Sequence, residues 1–442
     1  MEDLADLIPQ LRLTTFDGEV GRRIIDTHIW AVREGLRGAP AHDLFDGYCQ
    51  RLVVQGTRLW RAHTAMETLH PQWHGYGYTW RRDLNAIGPE QYPHGNEPAW
   101  FTSPFYALIE RARTGEKNPF MRRRIAAGPS ERDFPALQEF FELGATDYVA
   151  YLFVYGENGD PSQGSGIVYS FATDRNDGFA DDDVTLVQAT LPVLSLAMKA
   201  HAAHVIASGL LGTYLGEDAG RRVHSGAVTR GSLENLAAVI FYADIRGFTG
   251  LSDSAPGAAV VDLLNDTFEI LTAALRSRGG QVLKFIGDAM LATLSFEEAD
   301  RAATCARALD AAVEALRALE TEAARREASG LPTARVDLAL HIGEVLYGNV
   351  GAIDRLDFTV IGPAVNEVVR IEALCEPLGR PLLLSPEFAA AVAGGDRLLV
   401  SLGMHALRGV KEPKEIYALD LAAETGAGEG LPLPDPGRAA TA

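Results

Sequence analysis

The chain has 442 residues, enough for two or three domains, and 47% hydrophobic against 22% charged residues lets it bury sizeable cores. A formal charge of −19 argues against nucleic acid or an anionic membrane as the main partner, though not against a local basic pocket for a phosphate. Three scattered cysteines, Cys49, Cys305 and Cys375, make neither a zinc pattern nor a disulfide framework and fit a reducing cytoplasm. The opening MEDLADLIPQ lacks a signal-peptide core. The most apolar stretch, 191–211, is interrupted by Lys199, His201 and His204, so no membrane span is expected.

No repeat of solenoid period is present. Residues 42–64 read as an amphipathic helix, with Leu44, Phe45, Tyr48, Cys49, Leu52 and Val53 at helical spacing. HPQWHGYGYTW, 70–80, is too rich in glycine and rings for a helix and reads as a strand or loop. Its His70, Trp73, His74, Tyr76, Tyr78 and Trp80 suit either an ordinary aromatic core or a ligand pocket closed by rings, a haem on His70 or His74 included. The basic, turn-rich stretch 112–135 reads as a surface excursion. Strands follow at 147–160, running into a turn, and at 164–175. Segment 178–216 opens with acids suited to a helix start, and Pro192 predicts a kink or break in it.

From 233 the pattern changes. A β-branched run over 236–242 leads to Asp244, Arg246 and Gly247. A helix begins near 256, with Val260, Leu263, Leu264, Phe268, Leu271 and Leu275 on its apolar face, and Gly279–Gly280 ends it. QVLKF and AMLATL around IGD read as a hairpin, with Asp288 at its tip. A long alanine-rich helix fills 297–328. Segment 335–351 reads as a second hairpin, with Val336, Leu338, Leu340 and Ile342 alternating on one face. Gly362–Pro363 starts a helix that carries Asn366 and Arg370 on one face. The tail, 422–442, is Gly, Pro and Ala without periodicity and is expected to be disordered. Helices interleaved with antiparallel strand pairs make the class α+β.

The chemistry concentrates in this second half. If the hairpin pairs beside strand 236–242, Asp244 and Asp288 stand at adjacent strand ends. Two carboxylates so placed repel unless a cation lies between them, and Mg²⁺ takes oxygen ligands of this kind together with substrate phosphate. An amide and a guanidinium four residues apart, Asn366 and Arg370, suit a polyanion.

In order and spacing, FYADIRGFT, LKFIGDAML and HIGEVLYGNVG…DFTVIGPAVNEVVRIE resemble the catalytic domain of class III nucleotidyl cyclases. The resemblance covers 233–421 and implies a ferredoxin-like, polymerase-palm-like sheet in a head-to-tail homodimer with active sites at the interface. It implies that Asp244, Asp288 and the backbone carbonyl of Ile245 bind two Mg²⁺ or Mn²⁺ ions, that Asn366 orients the ribose, and that Arg370 stabilises the α-phosphate. Lys284 and Thr359 resemble the pair that reads the base. Many members place Asp at the second point. Lys with Thr marks a subgroup that uses ATP and often responds to bicarbonate, whereas guanylate cyclases place Glu and Cys there. A Lys donor suits adenine N1, and a Thr oxygen can accept from the adenine amino group. Arg355 is a candidate phosphate contact. Lys411 stands near the place of a phosphate-binding Lys in the family, with the register shifted by one.

The implied activity is adenylate cyclase, ATP to 3′,5′-cyclic AMP and pyrophosphate. Guanylate cyclase is the rival of the same chemistry, and a non-catalytic ligand-binding signalling module is the rival of a different class. Upstream, GFADDDVTLVQATLPVLSLAM resembles the last helix of GAF domains, so residues 1–200 are expected to be an α/β sensor domain, GAF- or PAS-like, for an unidentified small regulatory ligand. Residues 201–232 resemble the transducing segment that often precedes such cyclase domains, and Gly216, Gly220 and Gly226 in it could let a helix pair change geometry.

Overall fold

The computed structural model describes residues 18–84, 89–95, 98–155, 166–393, 398–410 and 412–419. The tail 422–442 and Lys411 lie outside the described residues. The chain divides into two compact units, Met1–Leu210 and Leu211–Ala442.

The first unit is built on six antiparallel strands: β1 (Arg61–Glu67), β2 (Trp73–Arg81), β3 (Pro89–Pro93), β4 (Phe120–Arg123), β5 (Asp147–Val154) and β6 (Gly166–Thr173). Their order is β3-β2-β1-β6-β5-β4. Side chains alternate across the sheet, as the period of two requires. Tyr151, Tyr169 and Phe171 meet Phe45, Tyr48 and Leu52 of the helix Ala41–Val54, with Leu186, Leu191 and Leu194 of the helix Asp181–Leu215. On the opposite face, Tyr148, Ala150, Leu152 and Val168 meet Leu108 and Ile109 of the helix Pro104–Arg113 and Leu137 of Pro135–Glu142.

Three expectations change here. The helix expected over 42–64 stops at Val54, because Gly56 turns the chain at φ +95° and 61–67 becomes β1. The excursion 112–135 contains β4, which pairs with β5 and buries Met121. Arg122 of β4 reaches the fully buried carboxylate of Asp147 at 2.8 Å. The helix Asp181–Leu215 runs unbroken through Pro192. By length and composition this helix could cross a membrane. Its first half instead buries Leu186, Val187, Leu191, Leu194 and Met198 in the core of the first unit.

The second unit holds eight strands: β7 (Leu233–Ile245), β8 (Gln281–Ile286), β9 (Ala289–Ser295), β10 (Val336–Gly351), β11 (Leu356–Ile361), β12 (Leu382–Leu384), β13 (Leu399–His405) and β14 (Lys414–Leu419). The order is β13-β14-β12-β10-β7-β9-β8, with β11 paired to β10, and among the described residues only β10 and β12 run parallel. The expected hairpin over 335–351 is one continuous strand of 16 residues, paired along β7 from Val336↔Ile245 to Gly348↔Leu233. Val336, Leu338, Leu340 and Ile342 do share a face, packed against the helices Gly257–Arg276 and Arg301–Ala328. The helix Pro363–Glu372 covers the other face through Ala364, Val368 and Ile371. A Cβ at Gly343 would stand only 2.4 Å from the Ala364 Cβ, so glycine sets how closely this helix approaches β10.

Candidate active site

Strand β7 ends on Asp244 and Ile245, and β8 turns into β9 through Gly287 and Asp288. Gly287 supplies the positive φ of +64° that this tight turn needs. Because β9 pairs with β7 up to Ala243↔Met290, the turn brings Asp288 beside Asp244. Burial and the adjacent Asp288 carboxyl push Asp244 up to about 6, with Asp337 adding a smaller repulsion. Oδ1 of Asp244 is buried without a hydrogen-bond partner. An orphaned carboxylate oxygen facing a second carboxylate fits a hard divalent cation, which would take both as oxygen ligands. Ile245 is buried beside them at the end of the β7–β10 ladder.

Two further carboxylates border this pair. Asp337, opposite Asp244 on β10, accepts from Arg246 Nε at 2.8 Å, an ion pair that offsets part of its charge. Glu372, at the end of the helix Pro363–Glu372, is pushed up to about 7 by burial and then by Asp244. Neither was singled out in the sequence. Their signals were only a register position and a residue two past Arg370.

Lys284 on β8 forms an ion pair with Asp357 on β11. Asp357 and Thr359 are two apart on β11 and so share one face. The structure thus gathers Lys284 to the strand of Thr359 and adds Asp357, which sequence reasoning missed. Alternation along DFT was the available signal.

Asn366 and Arg370 lie one turn apart on the helix Pro363–Glu372, with Asn366 exposed and Arg370 half-buried. Among the described residues neither has a hydrogen-bond or ion-pair partner. The Arg370 guanidinium lies against Gly409, where an added Cβ would sit 3.5 Å from it. Lys411, two residues on, is outside the described residues. Arg355 is exposed in the turn between β10 and β11.

A second ionic cluster lies on the same sheet. Ligand atoms of His341, Glu367 and Glu387 fall within 4.8 Å of one another. The Lys414 ammonium already pairs with both glutamates, at 2.7 Å to Glu387, so a cation is in place and the cluster ties β14 to two helices.

The aromatic stretch 70–80 divides. Tyr78 and Trp80 belong to the core of the first unit, and Tyr76 packs against it. A bulge between Trp73 and Gly75 shifts the register, and of the six residues only His74 lines the cavity in this unit. His70 is half-buried and accepts from the backbone N–H of Gln72, and Trp73 is half-buried on β2. The pocket closed by these rings is therefore replaced by a core and a separate cavity.

Residues 233–420 match the family described as adenylate and guanylate cyclase catalytic domain. An uncharacterised protein of Mycobacterium tuberculosis (strain CDC 1551 / Oshkosh) is 34% identical over 47% of this chain and 36% of its own length. An adenylate cyclase of Anabaena cylindrica is 32% identical over 35% of this chain and 30% of its own. The matches thus span about a third of the length of these relatives. Among solved structures, a bacterial light-regulated adenylyl cyclase is 25% identical at a TM-score of 0.45, covering 52% of this chain and 64% of that one. The adenylyl cyclase CyaB from P. aeruginosa is 24% identical at a TM-score of 0.39, covering 42% and 95%. The match to an adenylate/guanylate cyclase catalytic domain thus lies within the second unit of an α+β chain.

Proposed function

We propose that the chain is a homodimeric adenylate cyclase, converting ATP to 3′,5′-cyclic AMP and pyrophosphate under control of its N-terminal unit. The observation that carries the reading is the juxtaposition of Asp244 and Asp288, with a buried oxygen left unpartnered. Asp244, Asp288 and the carbonyl of Ile245 would hold two Mg²⁺ or Mn²⁺ ions. Once bound, such ions acidify the ribose 3′-hydroxyl and neutralise the leaving pyrophosphate.

The residues of the chain supply the rest. The 3′-oxygen gives up its proton to solvent water and forms a bond to the α-phosphorus as the bond from that phosphorus to the bridging oxygen of pyrophosphate breaks. Arg370 is free to donate to the α-phosphate oxygens, where charge grows in the transition state. Asn366, on the same helix face, orients the ribose. Lys284 donates to adenine N1, which in guanine is itself a donor, and Thr359 accepts from the amino group. Asp357 keeps Lys284 aimed along β11. Arg355 and Lys411 are candidate phosphate contacts. The six-stranded sheet with helices on both faces supports a GAF- or PAS-like sensor over 1–200, coupled through 201–232 to the catalytic domain over 233–421. A cytoplasmic setting agrees with three free cysteines.

Turnover of the purified chain with Mn²⁺ on ATP and GTP separately tests this. ATP should lead by at least about tenfold in kcat/KM, since a misplaced base donor costs over 1.4 kcal/mol. A GTP preference would make it a guanylate cyclase. A folded chain that turns over neither nucleotide would be a non-catalytic signalling module.

A further inference from the structure

The first unit contains a cavity of about 680 Å³ on the sheet face that the helices Pro98–Phe101 and Pro104–Arg113 cover. That is the size range of small-molecule sites. Carbon dominates its wall: Ala65, Phe105, Ile109, Leu152, Val154 and Val168 all face it. The polar groups are few and fall into two sets, His63 with Tyr92 and Glu90, and Glu67 with His74. His63 stacks on Phe105, holds Thr79 Oγ1 at 2.8 Å through Nδ1 and faces the Tyr92 hydroxyl through Nε2. Tyr92 donates to Glu90 at 3.0 Å, and Glu67 faces His74 at 3.5 Å.

The charge of this lining is one-sided. Glu67 and Glu90 line the cavity, and among the described residues no Lys or Arg does. Burial, with Arg61 nearby, pushes His63 down to about 4, so its ring is neutral at pH 7. Arg61, on the same strand face, is a cation that acts on Glu90. It donates to Thr79 and lies over the Phe140 ring, outside the cavity lining. A phosphate or carboxylate entering here would lose water and meet carboxylates instead of donors, which disfavours it.

We infer that this cavity binds a hydrophobic, ring-bearing amine, with the ring among the aliphatic wall residues and the nitrogen at Glu67 and Glu90. Anionic ligands, cyclic nucleotides among them, are excluded by the same charge pattern. The inference stands whether or not the second unit turns over nucleotide.

Matched fluorescent probes test it on the full chain: 1-pyrenemethylamine against 1-pyrenecarboxylate, titrated at 0.15 M salt. The amine should saturate at one per chain and bind at least tenfold tighter than the acid. Ala65→Phe, which fills the cavity, should weaken the amine at least tenfold, and Glu67→Gln should narrow the amine-to-acid ratio several-fold. Circular dichroism shows whether Ala65→Phe has folded. If it has not, the half-exposed Glu67→Gln decides. Amine binding that does not saturate, that ignores both substitutions, or that the acid equals would overturn the assignment.

Discussion

Asp244 carries a clear electrostatic signature. Its folded value of about 6 lies above the usual 3.8, so the unfolded chain gives up its proton first. In metal-free protein the ionised Asp244 therefore destabilises the fold, and the penalty grows as pH rises from about 4 through 6. Two units at roughly 1.4 kcal/mol each set the ceiling, and solvent around a half-exposed group reduces this to about 1–2 kcal/mol. Asp244→Asn should then raise the melting temperature in EDTA by a few degrees at pH 8 and leave it unchanged at pH 4. The same variant should lose essentially all turnover. A lower melting point than wild type at pH 8 would remove the carboxylate repulsion from the account. Asp244 and Asp288 were legible because each ends a recognisable strand or turn. Asp357 and Glu372 were not, because their partners lie 73 residues away in one case and on another element in the other.

At the scale of elements, the helix Pro363–Glu372 is the part whose position matters most, since it carries Asn366 and Arg370. It rests on β10 where Gly343 meets Ala364. Gly343→Ala would force two carbons 2.4 Å apart, so the helix must move. A displacement near 1 Å can cost about a hundredfold in rate. We expect kcat to fall at least tenfold, with the fold retained. Combining it with Ala364→Gly should restore most of the loss, because the clash then disappears. If kcat stays low in the double variant, the helix position is not what Gly343 controls. The reading of 335–351 as a hairpin failed because Gly343 lies inside one continuous strand. Glycine marks a turn or a close approach equally well, and only the partner helix shows which.

At the scale of the whole molecule, the proposed dimer makes a quantitative prediction. If Asp244 and Asp288 of one protomer face Lys284, Thr359, Asn366 and Arg370 of its partner, each active site needs both chains. Chains with Asp288→Ala alone should be dead, and so should chains with Arg370→Ala alone. A heterodimer of the two collects both lesions in one site and neither in the other. Random pairing makes about half the dimers heterodimers, so mixing should recover roughly a quarter of wild-type activity. Co-expression with two tags, tandem purification and a cyclic AMP assay measure it in the purified heterodimer, where one good site of two should give about half. A well-formed but inactive heterodimer would show that each site is built within one chain. Exposed Phe285, Ile286 and Ile361, which adjoin Lys284 and the β11 strand in sequence, are apolar surface that such an interface would cover.

By itself the sequence determined the α+β class, the strands β7, β8 and β9 and the helices Gly257–Arg276, Arg301–Ala328 and Pro363–Glu372 of the second unit, and the identity of the paired carboxylates. These follow from local rules: hydrophobic period, turn glycines and spacing within one element. Tertiary structure decided what depends on register and on distant partners. The bulge in β2 turned Tyr76, Tyr78 and Trp80 into the core and left only His74 at the cavity. The pairing of β4 with β5 drew a basic excursion onto the buried Asp147. The cavity itself is framed by residues from 63 to 168, held together by strand order and two covering helices. No local pattern encodes such a set, because a one-residue change of register sends every side chain of a strand to the other face.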